Sequence, residues 1–240
     1  MFLNHAWGLP ARPFVPTKKR TKLRGTMVYA LALGAMLAGL CPAPVSAVEP
    51  GGIRNILSDR MRTEAGNRDA WTALMKDGEA RASFCAYRHG KDGNSVMPLV
   101  PNLAGQNPFY LLDQIEKFAD GRRQDYIMTP LTKQFSMDDK VTLALYYANM
   151  ISRARPADAA LARKGEMRFR KQCVACHGHD AHGGEHYARL AGQRVEYVRH
   201  RLHRFQQQTE GHAAPVMTAV AKTLTDADIE ALAAYLSILP

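Results

Sequence analysis

A six-residue motif occurs twice in this 240-residue chain, 88 residues apart, and only the second copy is complete. The second copy, at residues 173–178, reads CVACHG; the first, at residues 85–90, reads CAYRHG and has Arg88 where the second has Cys176. Cys-x-x-Cys-His is the attachment pattern for c-type haem. Two cysteines three residues apart on a helical turn face the same side, and the histidine that follows is placed to ligate iron. The motifs therefore predict haem chemistry in two related segments.

The intact motif allows two other interpretations. Cys173 and Cys176 can form a redox-active dithiol. They can also supply half of a zinc site, with three nearby histidines as further ligands: His179, His182 and His186. A dithiol motif is expected after a strand in a βαβ unit, whereas the segments around this motif have helical patterns. A zinc site needs a second ligand pair at a standard spacing, and these histidines are typical of a solvated loop, so we favour haem.

The similarity between the two halves extends well beyond the motif. Leu-Ala-Gly-Gln occurs at residues 103–106 and again at 190–193, and the offset between matching residues stays at 87 to 89. The other matched pairs are Tyr110 with Tyr197, Phe118 with Phe205, Ser136 with Thr225 and Tyr147 with Tyr235. A constant offset of this size indicates one duplicated domain of about 85 residues, since a solenoid would need more and shorter repeats.

Both halves have the sequence pattern of helices. Asn107 followed by Pro108 is a typical helix start, and Gly121 is a typical stop. Ser136 and Thr225 each precede an aspartate by three residues, as in a capping box. Apolar residues recur at helical spacing in matching places: Leu111, Ile115 and Phe118; Val198, Leu202 and Phe205; Ile229, Leu232, Ala233 and Leu236. No segment alternates with period two, so the predicted fold class is all-α, with two tandem domains related by an internal repeat.

Residues 1–47 are predicted to be a signal peptide. Five Lys/Arg between Lys18 and Arg24 precede an apolar run of 14 residues, 27–40, and Val-Ser-Ala ending at Ala47 suits cleavage. The run is shorter than the roughly 20 residues that a membrane span needs. Cleavage near Ala47 would leave 26 Lys/Arg against 22 Asp/Glu, so the formal charge would fall from +10 to +4. We therefore predict an exported protein with no transmembrane anchor after cleavage and no nucleic-acid partner.

A methionine follows each motif histidine at a nearly equal distance. Met217 lies 40 residues after His177, and Met128 lies 39 residues after His89. Histidine and methionine together are the ligand pair of electron-carrying cytochromes c. We predict these two pairs as iron ligands, with His212 as an alternative to Met217.

Backbone carbonyls are expected to orient both motif histidines. In the first half a carbonyl near Pro101 is placed to accept the imidazole N–H, and in the second half Ala188 occupies the matching position. Such a hydrogen bond would fix the ring and its tautomer.

The chain resembles the dihaem cytochromes c of the cytochrome c4 family over residues 76–239. The resemblance lies in Gly78, both haem motifs, both Leu-Ala-Gly-Gln runs, the Asp-Gly-Arg-Arg run at 120–123, the two methionines and the Ala-Ala-Tyr-Leu run at 233–236. It implies two class I cytochrome c domains face to face, at residues 77–153 and 154–240, after a helical extension at 48–76. It also implies haem c and its iron as cofactor, attached at three thiols: Cys173, Cys176 and Cys85.

The resemblance further implies an electron carrier in a periplasmic respiratory chain, and not an enzyme. Members of the family pass electrons from quinol–cytochrome c reductase towards a terminal oxidase, so redox proteins are the expected partners. Association with a membrane complex is compatible with this role. Two alternatives remain open: a haem subunit of a periplasmic dehydrogenase complex, or a dihaem peroxidase-like enzyme.

Arg88 departs from the family pattern, which has cysteine at that position. Three interpretations remain open. The first domain holds haem through one thioether at Cys85, with His89 and Met128 as ligands; it has lost haem and persists as a structural or docking domain; or Arg88 is a sequence error. The extension at 48–76 is a second departure, interpreted as a brace for the first domain, a partner contact or an ordinary surface helix.

Overall fold

The computed structural model describes residues 52–208 and 214–240 of the chain. The predicted signal peptide at 1–47 and the alternative ligand His212 lie outside the described residues. These described residues belong to one compact unit. Helices are the only regular secondary structure in the described part of the chain, which agrees with the predicted all-α class. None of the helices described there is long and apolar enough to cross a membrane.

The first domain, together with the segment that leads into it, contains six helices among the described residues. They are α1 (Gly52–Ala65), α2 (Arg68–Ala82), α3 (Ala86–His89), α4 (Pro108–Ala119), α5 (Met128–Thr132) and α6 (Met137–Ala148). Helices α2 and α4 both pack on α6, and α5 packs on α4. The short helix α3 carries the incomplete motif.

The second domain repeats the same order of elements. Its helices are α7 (Ala159–Gln172), α8 (Val174–His177), α9 (Val195–Gln206), α10 (Pro215–Ala221) and α11 (Asp226–Ile238). Helices α7 and α9 both pack on α11, and α10 packs on α9. The short helix α8 carries the complete motif, so each motif has the same position in its own domain.

The predicted caps are present and set the starts of the longer helices. The Ser136 side chain accepts from the backbone N–H of Asp139, and the Asp139 carboxylate accepts from the backbone N–H of Ser136. Thr225 and Asp228 form the same capping box at the start of α11. Asn107 caps α4 with Pro108 at its first turn. Each such cap is worth about 1 kcal/mol. The capping boxes fix the residues at which α6 and α11 begin.

Glycines at two helix crossings allow the terminal helices of each domain to approach closely. A Cβ atom at Gly165 would lie 1.9 Å from the carbonyl oxygen of Ala231, and one at Gly78 would lie 2.6 Å from Cβ of Tyr146. Only a residue without a side chain fits at such distances. These crossings join α7 to α11 and α2 to α6.

The structure corrects one match in the repeat. The backbone N–H of Gly105 donates to the Tyr147 carbonyl, whereas that of Gly192 donates to the Leu236 carbonyl. At the helix crossings, Gly78 meets Tyr146 and Gly165 meets Tyr235. Tyr146 is therefore the counterpart of Tyr235, and the expected match of Tyr147 with Tyr235 is wrong by one residue. The adjacent tyrosines of the first domain made both alignments possible in sequence.

The extension before the first domain is packed into its core. Ile53 and Leu57 on α1 are buried, with Leu57 fully inaccessible, and they belong to the same apolar cluster as Leu112 and Leu145. Helix α1 contacts α2, α4 and α6. The interpretation as a brace therefore holds, and an ordinary surface helix does not describe α1. The predicted edge of the extension, at residue 76, lies within α2.

Two glutamines at equivalent positions join the domains by reciprocal hydrogen bonds. Gln193 Oε1 accepts from the Asn102 N–H at 2.8 Å, and its Nε2 donates to the Asn102 carbonyl at 3.1 Å. Gln106 makes the same pair of bonds with the backbone of Arg189, at 2.7 and 2.9 Å. Both glutamines end a Leu-Ala-Gly-Gln run. The repeated sequence thus forms a local, pseudo-two-fold contact between the domains.

Candidate functional site

Both motifs fold into the same short helix. Cys85 and Cys173 stand at the N-caps of α3 and α8, and the backbone N–H of each motif histidine donates to the carbonyl of that cysteine, at 2.9 and 3.0 Å. Each helix ends at a glycine with positive φ, +82° at Gly90 and +77° at Gly178. Left-handed backbone suits glycine. The substitution at Arg88 has therefore left the local backbone of the motif unchanged.

Both motif histidines are held by backbone carbonyls, as predicted. Nδ1 of His89 lies 3.0 Å from the Pro101 oxygen, and Nδ1 of His177 lies 2.9 Å from the Ala188 oxygen. A carbonyl only accepts, so the proton is on Nδ1 and the lone pair is on Nε2. Each ring therefore has one nitrogen fixed by the protein and the other available as a metal ligand.

The environment of both histidines favours the neutral imidazole. Burial lowers the pKa of His89 to about 4, and burial also lowers the pKa of His177. Nε2 of His89 is buried and has no hydrogen-bond partner. A buried polar atom without a partner costs roughly 1–3 kcal/mol, which bonding to a metal would offset. The structure thus contains an unpartnered ligand atom in the first domain.

The cysteines have the environment of attachment sites, not of a reactive dithiol. Cys85, Cys173 and Cys176 are partly buried, and none of the three forms a disulfide. Burial raises the pKa of Cys173 to about 11 and raises that of Cys85. Redox-active thiols have lowered pKa values, because the thiolate is the reactive form. The dithiol interpretation therefore has no support in this environment.

The zinc interpretation also lacks a suitable arrangement of ligands. His182 contacts the Asp180 carboxylate at 3.1 Å and the Pro240 carbonyl at 3.1 Å. Over residues 52–208 and 214–240, no group of three or more His, Cys, Asp or Glu side chains is placed to hold a metal ion. His179, His182 and His186 are all exposed.

The two predicted methionines lie on short helices that match each other. Met128 begins α5, and Met217 lies in the first turn of α10. The backbone N–H of Met128 donates to Asp125 Oδ1 at 2.9 Å, so a carboxylate fixes the start of α5. In the second domain Pro215 performs this function at the start of α10. Different residues hold the two methionine segments in equivalent places.

One continuous cavity brings all seven predicted site residues together. Its volume is about 470 Å³, and it extends along both motifs and both methionine segments. Its apolar lining includes Leu111, Phe118, Leu131 and Phe135 from the first domain and Val198, Leu202, Phe205 and Leu232 from the second. The predicted site residues on its wall are Cys85, His89, Met128, Cys173, Cys176, His177 and Met217. Thiols, neutral imidazoles, thioethers and apolar walls form a donor set that fits haem.

Sequence reasoning missed two features of this site. The glutamines of the repeated Leu-Ala-Gly-Gln runs were noticed as repeats, but their bonds to the opposite domain were not expected. Asp125, whose Oδ1 accepts from the backbone N–H groups of Ile127 and Met128 at the start of α5, was not singled out; its signal is an aspartate three residues before a short helical run. Burial raises the pKa of Asp125, whereas these hydrogen bonds and the charges of Arg88 and Arg123 lower it, and the net pKa is lowered.

The second domain matches a known family model. Residues 160–236 match the model described as cytochrome c oxidase, cbb3-type, subunit III. This range contains the complete motif and Met217. The match covers about one third of the chain.

Similar proteins cover both domains. A cytochrome c4 from Pseudomonas aeruginosa is 33% identical over 171 residues, which are 66% of this chain and 85% of that protein. A thiosulfate dehydrogenase electron acceptor from Thiomonas intermedia is 31% identical over 185 residues, which are 71% of this chain and 83% of that protein. The crystal structure of reduced recombinant cytochrome c4 from Pseudomonas stutzeri superposes with a TM-score of 0.64 at 31% identity, over 69% of this chain and 98% of that chain.

Proposed function

Since the chain belongs to the cytochrome c4 family of electron-carrying c-type cytochromes with covalent haem c, we propose that its second domain is a His/Met-ligated carrier site. Cys173 and Cys176 are the proposed attachment residues, and His177 and Met217 are the proposed iron ligands. The proposal follows from residues that line one cavity and match the donor set of such sites. When bound, haem supplies reversible one-electron chemistry at its iron.

The observation that carries the proposal is the state of His177. Its Nδ1–H donates to the Ala188 carbonyl, and its pKa is lowered by burial, so Nε2 keeps its lone pair at neutral pH. A carbonyl on Nδ1 also makes the imidazole a stronger donor towards a metal. The ring is thus fixed before any metal binds.

Met217 supports the proposal that the site is a carrier and not a catalyst. It lies on the cavity wall and packs against the apolar core of the second domain. Met217 would hold the iron together with His177, so that no position would stay open for a substrate. A methionine ligand also raises the reduction potential.

A comparison of two methionine variants tests this assignment. Met217→Ala should remove the second domain's share of the weak near-infrared band of methionine-ligated iron and lower the reduction potential of that haem. Met167→Ala is the matched control, because Met167 is 67% exposed on α7. A band of undiminished intensity in Met217→Ala would contradict the assignment, and loss of the band in both variants would show a general effect on folding.

The proposed location is the periplasm, and the proposed partners are redox proteins. Signal cleavage near Ala47 and domains at residues 77–153 and 154–240 are part of this proposal. N-terminal sequencing of the exported protein tests the cleavage, and limited proteolysis tests the boundary near residue 153. Quinol–cytochrome c reductase as donor and a terminal oxidase as acceptor are tested by electron-transfer rates with the purified complexes.

A second candidate is the electron-accepting component of a dehydrogenase. The observation in its favour is the similarity to the thiosulfate dehydrogenase electron acceptor of Thiomonas intermedia, over 71% of this chain. The two candidates differ in their donor. Fast reduction by a thiosulfate dehydrogenase with thiosulfate, and slow reduction by quinol–cytochrome c reductase, would favour the second candidate; the reverse order would favour the respiratory carrier.

A further inference from the structure

We propose that the first domain also binds haem c, and that it does so through a single thioether at Cys85, with Arg88 in the place of the second thiol. The inference rests on the proposed function of the second domain and extends it to a site with a different covalent linkage. The chain's own residues in the first domain carry the argument.

The first motif retains the geometry of an attachment site. Cys85 occupies the same N-cap position as Cys173, and both thiols lie on the wall of the cavity. The Gly90 backbone matches that of Gly178, with φ of +82° and +77°. Ser95 Oγ donates to the Arg88 carbonyl at 2.7 Å and anchors the end of α3. A thiol held in this way meets a bound porphyrin as Cys173 does.

His89 is the second line of evidence. Its Nδ1 is fixed to Pro101, and its Nε2 is buried without a hydrogen-bond partner. A domain that folds without haem would bear the cost of this orphaned atom, roughly 1–3 kcal/mol, with no compensation. An apolar residue at this position would avoid that cost, so the arrangement fits a domain in which Nε2 binds iron.

The segment that carries the proposed second iron ligand, Met128, is also held in place. Asp125 Oδ1 accepts from the N–H groups of Ile127 and Met128, both at 2.9 Å, and so fixes the backbone from which the Met128 side chain reaches the cavity. The cavity continues without interruption from the second domain into this region. Proximal ligand, distal ligand and space are therefore all present in the first domain.

Arg88 stands on the cavity wall at the position that Cys176 has in the second domain. Arginine offers no thiol, so this edge of the porphyrin stays without a covalent bond to the chain.

The attachment step balances without an added oxidant. The Cys85 S–H bond adds across the carbon–carbon double bond of one vinyl group of haem. Sulfur bonds to the vinyl carbon next to the ring, and hydrogen goes to the terminal carbon. The other vinyl group keeps its double bond, because Arg88 has no sulfur to add.

Peptide mass spectrometry of the purified exported protein tests the proposal. We expect haem on the peptide that contains Cys85 and on the peptide that contains Cys173 and Cys176. The pyridine haemochrome band should be displaced towards the position of a haem with one reacted vinyl group. If only the second-domain peptide carries haem, this inference fails while the proposed function stands. If neither peptide carries haem, the proposed function fails as well.

Three variants separate the role of each residue. Cys85→Ala should halve the covalent haem content, and Arg88→Cys should keep two haems per chain while moving the haemochrome band to the position of two reacted vinyl groups. Tyr87→Ala is the matched control, because this neighbouring side chain is 80% exposed, and it should change neither value. An unchanged haem content in Cys85→Ala, or an unchanged band in Arg88→Cys, would overturn the single-thioether assignment.

Discussion

Replacing Gly165 by alanine would place a methyl group inside the crossing of α7 and α11. The new Cβ would lie 1.9 Å from the Ala231 oxygen, 2.5 Å from the Ala231 carbonyl carbon and 2.7 Å from Cβ of Tyr235. Ordinary contact begins at 3.4 Å, so the closest approach is too short by about 1.5 Å. Two of these three atoms belong to helix backbone, which cannot rotate away, so the helices themselves would have to separate.

Separation of these helices would disturb the core of the second domain. Phe169 is fully buried on α7, and its ring lies 5.5 Å from that of Tyr235 on α11. Overpacking costs typically about 1–3 kcal/mol and occasionally more. Alanine would return about 1 kcal/mol through its higher helix propensity. Because the contact is with backbone, we expect a steric cost above the typical range, at about 4 kcal/mol, and so a net loss of about 3 kcal/mol.

Thermal unfolding of the haem-loaded protein, followed by circular dichroism, measures this loss. For a chain of this length, 3 kcal/mol lowers Tm by roughly 6–12 °C. Gly184→Ala is the matched control, because its Cβ would meet nothing within 4 Å. Gly78→Ala should give a smaller loss, since its closest contact, at 2.6 Å, is with a side chain. A Tm of Gly165→Ala equal to that of the control would refute the reasoning.

Three further predictions concern the interface, the extension and pH. Gln193→Ala leaves the buried Asn102 backbone without its partners and should lower the free energy of unfolding by about 1–3 kcal/mol in urea; an unchanged midpoint would contradict it. Leu57→Ala should cost about 2–5 kcal/mol in the same assay, whereas Ile56→Ala, at a 39% exposed position, should cost little. Hydrogen bonding to Ser136 holds the pKa of Asp139 below its usual range, so its stabilisation is present above about pH 4 and disappears as pH falls through the folded pKa. Asp139→Asn should therefore lose about 1 kcal/mol at neutral pH and match the wild type in acid, and a constant difference would disprove the assignment.

The two domains keep the same backbone plan with different supporting residues. Asp125 fixes the start of α5, whereas Pro215 opens α10. Arg88 in the first motif stands where Cys176 stands in the second, yet the two motif helices have the same backbone hydrogen bonds. A duplicated domain can change its side chains wherever the backbone geometry is held by other contacts. The placement of the site residues has therefore survived the loss of one thiol.

Much of the site was predictable because its signals are local in sequence. The motif turn, the capping boxes of α6 and α11 and the carbonyl partners of His89 and His177 follow from residues within one turn or one loop. The spacing of Met128 from His89 and of Met217 from His177 predicted the second iron ligand of each domain. Local hydrogen bonds and helical periodicity determine such features before the chain is compact.

The sequence pattern could not predict contacts between residues that are far apart along the chain. The alignment of the two domains that matches Tyr146 with Tyr235 depends on which residue faces a glycine on another helix. The burial of Leu57 depends on the packing of α1 against α2, α4 and α6.

The sequence by itself determined that this chain has two copies of an all-α unit, the second with a complete haem-attachment motif, because motif, caps and repeat are each local signals. Only the tertiary structure decided how the copies meet. Gln106 and Gln193 pair with the backbone of the opposite domain, and the two crevices join into one cavity. These contacts join residues more than 80 positions apart, and their geometry depends on both domains being folded.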